Sequence, residues 1–125
     1  MITRTVLTVD LRDDAAAIES YKDHHQRVWP EVLASLRRSG VRDMEIYLLG
    51  RRLVMILETD GPDYRRCFAE HRTSGPRVTE WEELMRSLQV PAPGAPRGEW
   101  WSQMAPVFSL DEAANPGKPQ AARPS

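Results

Sequence analysis

Four runs of the chain carry the alternating or continuous apolar pattern of β-strands. The first is rich in β-branched residues, and the second and third flank Gly50-Arg51, which predicts a tight turn. The fourth contains Pro106, which favours an edge position or a bulge. We predict these strands at residues 2–11, 44–49, 52–59 and 100–110.

Apolar residues at helical spacing fill the segments between the strands. Asp13 and Asp14 can cap a first helix. Pro30 predicts a break at Trp29 and opens a second helix, which Gly40 ends. The predicted helices cover residues 15–28, 31–39, 64–71 and 77–88, and residues 90–98 are predicted as a loop rich in Pro and Gly.

The resulting order, β-α-β-β-α-β, is that of a ferredoxin-like α+β sandwich whose helices cover one face of a four-stranded sheet. The third strand is apolar on both faces and needs cover on both. Its apolar residues are Leu53, Met55 and Leu57 on one face and Val54 and Ile56 on the other. We therefore predict a homodimer in which two sheets pack face to face, for a domain of residues 1–110. Residues 111–125 hold three prolines and no aromatic residue and are predicted to be a disordered tail.

Composition and charge restrict the class of partner. The chain has 125 residues, with 17 Lys and Arg against 18 Asp and Glu, so its formal net charge is -1. It lacks the positive field of nucleic-acid-binding proteins. No apolar run reaches the roughly 20 residues of a membrane span and no signal peptide precedes the first strand, so we expect no membrane partner and a cytoplasmic location. Cys67 is the single cysteine, which excludes an internal disulfide.

The first helix carries the most unusual group of side chains. Tyr21 and His25 are four residues apart and share one helix face, with Trp29 nearly in line. An imidazole beside a phenol and an aromatic wall could exchange protons with a neutral, polar ligand near neutral pH. The alternative is an aromatic stripe whose histidine borders the core.

Three further features offer candidate ligand contacts. Trp81 is either a core anchor of its helix or a flat platform for a sugar ring. Glu45 lies in an apolar strand, where a carboxylate must be paired, solvated or functional. In a strand, Trp100 and Trp101 would face opposite sides, so at most one could line a given pocket.

No metal or cofactor is expected. His24 points about 100° away from His25 around the helix, and His71 is too distant in sequence for a local ligand motif. Cys67 is predicted to be a buried thiol rather than a nucleophile. The sequence contains neither a Gly-x-Ser-x-Gly elbow nor a phosphate-cradling glycine loop.

The same residues carry a resemblance to the L-rhamnose mutarotase family. The stretch Tyr21-x-x-x-His25-x-x-x-Trp29-Pro30-Glu31 resembles the first-helix signature of that family. Weaker similarities are Ile46-Tyr47-Leu48, Trp81-x-x-x-Met85, and Val107-Phe108 with Leu110. The resemblance covers about residues 1–110. It implies a dimeric α/β barrel that interconverts the α and β pyranose forms of a 6-deoxy-L-sugar without a cofactor.

The resemblance also implies roles for individual residues. The proton-donating histidine of the family falls on His25, its sugar-contacting tyrosine on Tyr21, and the first tryptophan of its Trp-Trp pair on Trp81. Met44 stands where the family has a sugar-binding tyrosine, and Glu82 replaces the second tryptophan. The run Met44-Glu45-Ile46-Tyr47 resembles relatives associated with L-fucose catabolism, which favours L-fucose over L-rhamnose.

These observations predict a sugar mutarotase, an isomerase with His25 as the acid/base. The second proton-transfer group is Glu45, Glu82 or a water molecule. The predicted substrate-binding residues are Tyr21, Met44, Trp81, Glu82, Glu45 and Trp29. The alternative hypothesis is a dimeric ferredoxin-like protein that binds a small molecule without catalysis or acts without a cofactor.

Overall fold

A computed structural model of the chain describes residues 1–115 and residue 117. Strands and helices alternate along it much as the sequence predicts, with two additional short elements near the end. The elements are β1 (Ile2–Leu11), α1 (Ala15–Gln26), α2 (Pro30–Arg38), β2 (Val41–Leu49), β3 (Arg52–Asp60), α3 (Tyr64–Arg72), α4 (Pro76–Leu88), β4 (Gln89–Val90), β5 (Ser102–Gln103) and α5 (Leu110–Ala114).

The strands form one antiparallel sheet in the order β2-β3-β1-β4, with β5 also paired to β1. Strands β1 and β3 pair along nearly their whole length, from Ile2 opposite Asp60 to Asp10 opposite Arg52. The two short strands β4 and β5 pair with different parts of the other edge of β1. This topology confirms the predicted ferredoxin-like α+β fold.

The break between the first two helices follows from their sequence. The Asp14 carboxylate caps α1 by accepting from the backbone amides of Ala16 and Ala17, at 2.9 and 3.3 Å. Trp29 has extended backbone angles (φ -59°, ψ 135°), as expected of a residue before proline, and α2 starts at Pro30. The chain therefore leaves the helix after Gln26, one residue beyond His25, and the turn over residues 27–29 separates α1 from α2.

Alternation along the strands divides the sheet into an inner and an outer face. The inner face packs against the helices, and its side chains Leu7, Val9 and Leu57 are fully buried. On the outer face, Tyr47 and Leu49 are 55% and 84% exposed. The outer face also includes Val6, Thr8, Val54 and Ile56, which are half-buried. The apolar character of both sheet faces is thus as predicted from β3.

The end of the chain differs from the prediction. Of the strand expected over residues 100–110, only Ser102–Gln103 pairs with β1, extended by one hydrogen bond from the Met104 amide to Val6. Pro106 has no amide hydrogen to continue the ladder, and Val107 and Phe108 are 97% and 73% exposed. The short strand β4 overlaps the segment predicted as a loop at Val90 alone.

The prediction of a disordered tail is wrong for its first residues. Residues 111–114 belong to the exposed helix α5, which Ser109 caps by accepting from the Glu112 amide. The rest of that prediction, apart from positions 115 and 117, lies outside the described residues. Among the described residues, no helix is both long and apolar enough to cross a membrane.

Candidate active site

A cavity of about 420 Å³ lies between the inner face of the sheet and the helices. A second, wider cavity adjoins it and shares Tyr21, His25, Met44 and Trp81. Both volumes are in the range that holds small ligands. The floor of the first cavity is apolar, its upper wall is aromatic and polar, and several charged side chains line it as well. These residues are Leu36, Met44, Ile46 and Met55 on the floor, Tyr21, His25, Trp81, Glu82, Gln89, Trp100 and Trp101 on the wall, and Arg65, Arg72, Arg86 and Glu99 among the charged side chains.

His25 presents one defined ring nitrogen for chemistry. Its Nδ1 lies 2.8 Å from the Tyr21 carbonyl oxygen, which can only accept a hydrogen bond, so Nδ1 carries a proton. This bond ties the ring to the backbone of α1 and fixes its orientation. Nε2 is therefore the nitrogen available to a ligand in the cavity that His25 lines.

The surroundings of His25 favour the neutral imidazole. Burial lowers the pKa of His25 below its ordinary value of 6.5, and the positive charge that His24 can carry acts in the same direction. The hydrogen bond to the Tyr21 carbonyl opposes this shift without cancelling it. At neutral pH, His25 Nε2 is therefore predominantly a proton acceptor.

Tyr21 is buried beneath His25, with the two rings stacked at a centroid distance of 4.1 Å. Burial raises the pKa of the Tyr21 phenol far above its ordinary value, and the Glu82 carboxylate raises it further, although a hydrogen bond with Gln89 acts in the opposite direction. The Gln89 side chain is itself held, because its Oε1 accepts from Trp100 Nε1 at 2.8 Å. The phenol is therefore a permanently protonated donor at the cavity wall.

Trp81 forms the aromatic wall and is held from two sides. Its ring makes edge contacts with His25 at 5.4 Å and with Trp29 at 5.2 Å between centroids. The guanidinium of Arg77 covers the ring of Trp29 at 3.8 Å and also pairs with Glu80 at 2.9 Å. The contacts from Trp81 through Trp29 to Arg77 therefore extend the cavity wall to the protein surface.

Glu82 supplies a carboxylate to the cavity, and the buried histidine that it contacts, His71, lines the same cavity. His71 Nε2 is 3.3 Å from Glu82 Oε1, and His71 Nδ1 is 2.7 Å from Ser35 Oγ. The order Ser35, His71, Glu82 has the residue types of a hydrolytic triad. Ser35 is fully buried and does not line either cavity, so it is not placed to attack a ligand there.

Five of the seven predicted site residues lie together in this cavity. Tyr21, His25, Met44, Trp81 and Glu82 all line it. Trp29 lies behind the wall and contacts Trp81. The structure does not bring Glu45 to the cavity, because it points to the outer face of the sheet and accepts a hydrogen bond from the Tyr47 hydroxyl at 3.0 Å. Successive strand residues face opposite sides, so Met44 and Glu45 could not both line one pocket.

Several cavity residues were not recognised in the sequence. Trp100 and Trp101 both line the cavity, contrary to the expectation for a strand, because they precede β5 in an irregular segment. Gln89 follows Trp81 and Met85 at spacings of four residues, and this spacing was the signal that could have revealed it. His71 reaches Glu82 only through tertiary packing of α3 against α4.

The assembled groups are suited to proton transfer on a neutral polar ring. They combine a proton-accepting imidazole, a carboxyl group, a protonated phenol and a flat aromatic wall. No group of three His, Cys, Asp or Glu side chains among the described residues is arranged to hold a metal ion.

Comparisons with known proteins place the chain in a family. Residues 4–110 match the family described as L-rhamnose mutarotase. The chain belongs to this family. It is 42% identical over 115 residues to an L-fucose mutarotase of Xanthomonas campestris pv. campestris, an alignment that covers 90% of this chain and 91% of that protein. Membership of the L-rhamnose mutarotase family confirms the predicted reaction class, that of a sugar mutarotase and hence an isomerase.

Solved structures show the same fold at low sequence identity. An L-rhamnose mutarotase from Formosa agariphila matches with a TM-score of 0.60 at 17% identity, covering 86% of this chain and 97% of that one. A dimeric ferredoxin-like protein from an uncultured marine organism matches with a TM-score of 0.51 at 16% identity, covering 85% and 90%. Both support the ferredoxin-like assignment.

Proposed function

We propose that this mutarotase interconverts the α and β anomers of a 6-deoxy-L-hexose, with L-fucose favoured over L-rhamnose. The main support is the hydrogen bonding of the His25 ring. Its Nδ1 is committed to a backbone carbonyl, so Nε2 is available to a ligand in a cavity with a tryptophan wall. The 42% identity to a protein named L-fucose mutarotase supports the choice of sugar.

The lining of the cavity fits a 6-deoxy sugar. Such a sugar has hydroxyl groups around the ring and a methyl group in place of the polar C6 hydroxymethyl. The apolar floor formed by Met44, Ile46 and Met55 can receive the methyl group without leaving a hydroxyl unpaired. Trp81 offers a flat face to the C–H side of the ring, and Tyr21 and Glu82 can bind hydroxyl groups.

Anomer exchange requires coordinated proton transfer at two oxygens. His25 Nε2 takes the proton of the anomeric hydroxyl while the ring oxygen gains a proton and its bond to C1 breaks. The resulting aldehyde rotates about the C1–C2 bond, and the chain closes on the opposite face of the carbonyl. His25 then returns its proton to the new anomeric hydroxyl, so it acts as base in one half of the reaction and as acid in the other.

The test is the exchange between the two anomeric proton resonances of L-fucose, followed by NMR with and without protein. We expect the wild type to accelerate exchange with L-fucose more than with L-rhamnose. The substitution His25→Ala should remove about 10²–10⁴-fold of the catalysed rate, the usual contribution of a positioned acid/base group.

Two results would contradict this proposal. Full exchange in His25→Ala would remove His25 from the mechanism. Sugar binding by the wild type without any acceleration of exchange would favour the alternative hypothesis, a ferredoxin-like protein that binds a small molecule without catalysis. The circular dichroism spectrum of His25→Ala serves as the folding control.

The second part of the proposal is a homodimer formed through the outer face of the sheet. The exposed Tyr47 and Leu49 and the half-buried Val54 and Ile56 support it, because water contacts an apolar surface there. The name of the dimeric ferredoxin-like protein that shares the fold supports it too. A cytoplasmic location remains part of the proposal, and the single, unpaired Cys67 is in keeping with a reducing compartment.

A further inference from the structure

Glu82 joins the cavity to a buried histidine. Its side chain is 37% exposed and lines the cavity together with Tyr21, and the His71 ring that it contacts reaches the same cavity but is almost completely buried. The 3.3 Å separation of His71 Nε2 and Glu82 Oε1 is that of an ion pair. A buried imidazole with one side turned to a cavity carboxyl can control both the position and the protonation of that carboxyl.

The hydrogen bonds on the other side of His71 determine where its protons lie. Ser74 Oγ donates to the His71 carbonyl at 2.8 Å, and a hydroxyl has a single proton to donate. The 2.7 Å contact between Ser35 Oγ and Ser74 Oγ is therefore donated by Ser35. A lone pair of Ser35 is then left to accept from His71 Nδ1–H at 2.7 Å. When all these bonds are made together, His71 is protonated at Nδ1.

The contact between His71 Nε2 and Glu82 Oε1 must then hold a proton in addition to the one on Nδ1. A bare Nε2 facing an ionised carboxylate at 3.3 Å would oppose two lone pairs in a buried setting. The pair therefore holds one proton, either as imidazolium and carboxylate or as imidazole and carboxylic acid. In the first form the proton is on His71 Nε2 and reaches a ligand through the Glu82 carboxylate, and in the second form Glu82 holds it, so the pair can supply one proton to the cavity that His25 also lines.

We infer that Glu82 is the second proton-transfer group of the reaction and that His71 is its positioning residue, an inference that rests on the proposed function. As His25 takes the anomeric proton and the C1–O bond of the ring breaks, the proton of the Glu82–His71 pair passes through the carboxyl to the ring oxygen. On closure the former ring hydroxyl attacks C1 and returns its proton to Glu82. Both protons return to their donors, so no co-reactant is needed.

The first experiment replaces the carboxyl with an amide. Glu82→Gln keeps the size and an acceptor oxygen but cannot transfer a proton. We expect kcat for anomer exchange to fall by about 10²–10⁴-fold, with KM changed by no more than a few-fold. Glu83→Gln is the matched control, because Glu83 is exposed on the same helix and does not line the cavity. It should retain the wild-type rate.

The second experiment tests whether His71 acts through Glu82. His71→Gln should lower kcat with little change in KM, and the double substitution with Glu82→Gln should be no slower than Glu82→Gln alone. A purely structural histidine would instead slow both backgrounds by the same factor. If His71→Gln does not fold, Ser35→Ala replaces it, since this change removes only the hydroxyl that accepts from Nδ1.

The outcomes separate this inference from the proposed function. A wild type that accelerates exchange together with an equally active Glu82→Gln overturns the inference and leaves the function intact. A wild type that exchanges neither L-fucose nor L-rhamnose overturns both. Multiplicative effects in the double variant overturn the role of His71.

Discussion

At the scale of single residues, the site depends on which nitrogen of a histidine is already bonded. His24 and His25 both use Nδ1 to bind the carbonyl four residues earlier, at 2.7 and 2.8 Å. They differ in what the rest of the ring meets, since His25 lines the cavity and His24 does not. The same local hydrogen bond therefore fixes His24 outside the cavity and orients the ring of His25 within it.

The lowered pKa of His25 predicts the acid limb of the pH profile. In the proposed mechanism the neutral ring accepts the anomeric proton, so kcat/KM for L-fucose should be constant near neutrality and fall as the pH drops through the pKa of His25. That midpoint should lie below 6.5, because burial disfavours the charged ring. The measurement is anomer exchange by NMR across the acid range, after subtraction of the uncatalysed rate.

The neighbouring histidine supplies a control for this assignment. The positive charge of His24 contributes to the lowered pKa of His25. His24→Gln should therefore move the midpoint of the acid limb to higher pH while leaving the neutral rate nearly unchanged. A catalysed rate that increases on acidification, in a protein whose circular dichroism is unchanged, would show that the protonated ring is the reactive form.

At the scale of elements, the break between α1 and α2 orients the tryptophan wall. Pro30 gives Trp29 an extended backbone, and its ring then lies between the Arg77 guanidinium and the edge of Trp81. Since Arg77 and Trp81 are both on α4, this contact ties the helix break to the helix that carries the wall. Arg77 and Trp29, which do not line the cavity, thereby fix the position of Trp81, which does.

Removal of the Trp29 ring tests that connection. Trp29→Leu keeps an apolar side chain but loses the edge contact, which is worth about 0.5–1.5 kcal/mol in aromatic pairs. We expect KM for the sugar to rise by a few-fold to about tenfold with a smaller change in kcat, since 1.4 kcal/mol corresponds to a factor of ten. Trp29→Phe keeps an aromatic edge and should stay near wild type. Equal KM values for Trp29→Leu and the wild type would show that Trp81 holds its position alone.

The sequence predicts those site residues whose relative positions are determined by local spacing. Tyr21, His25 and Trp81 lie on regular helices, so spacings of four residues and the family resemblance identified them. Strand alternation directs Glu45 and Met44 to opposite faces of the sheet, so only one of these two predicted residues lines the cavity. His71 became visible only in three dimensions, because its contact with Glu82 joins α3 to α4 across 11 positions of the sequence.

At the scale of the whole molecule, the sheet separates the cavity from an apolar outer surface. Its inner face, with the helices, forms the cavity, and its outer face carries Tyr47, Leu49, Val54 and Ile56. Alternation along β2 therefore directs neighbouring residues to different sides: Met44 to the cavity and Glu45 to the outer surface, which the proposed dimer would bury. A substitution on the outer face can thus test assembly without entering the cavity.

The outer face gives the last prediction, which concerns the oligomeric state. Ile56 lies near the middle of this face, opposite Val6 on one side and Glu45 on the other. In a two-fold symmetric dimer, Ile56→Lys would bury two charges in one interface, whereas in a monomer the lysine could pair with Glu45 across the strands. Sedimentation should therefore show the wild type at twice the 14.3 kDa chain mass and Ile56→Lys at that mass itself. Leu33→Asp is the control, because Leu33 is an exposed leucine in the helical layer, and it should remain dimeric. A monomeric wild type, or a dimer that survives Ile56→Lys, would place the assembly surface elsewhere.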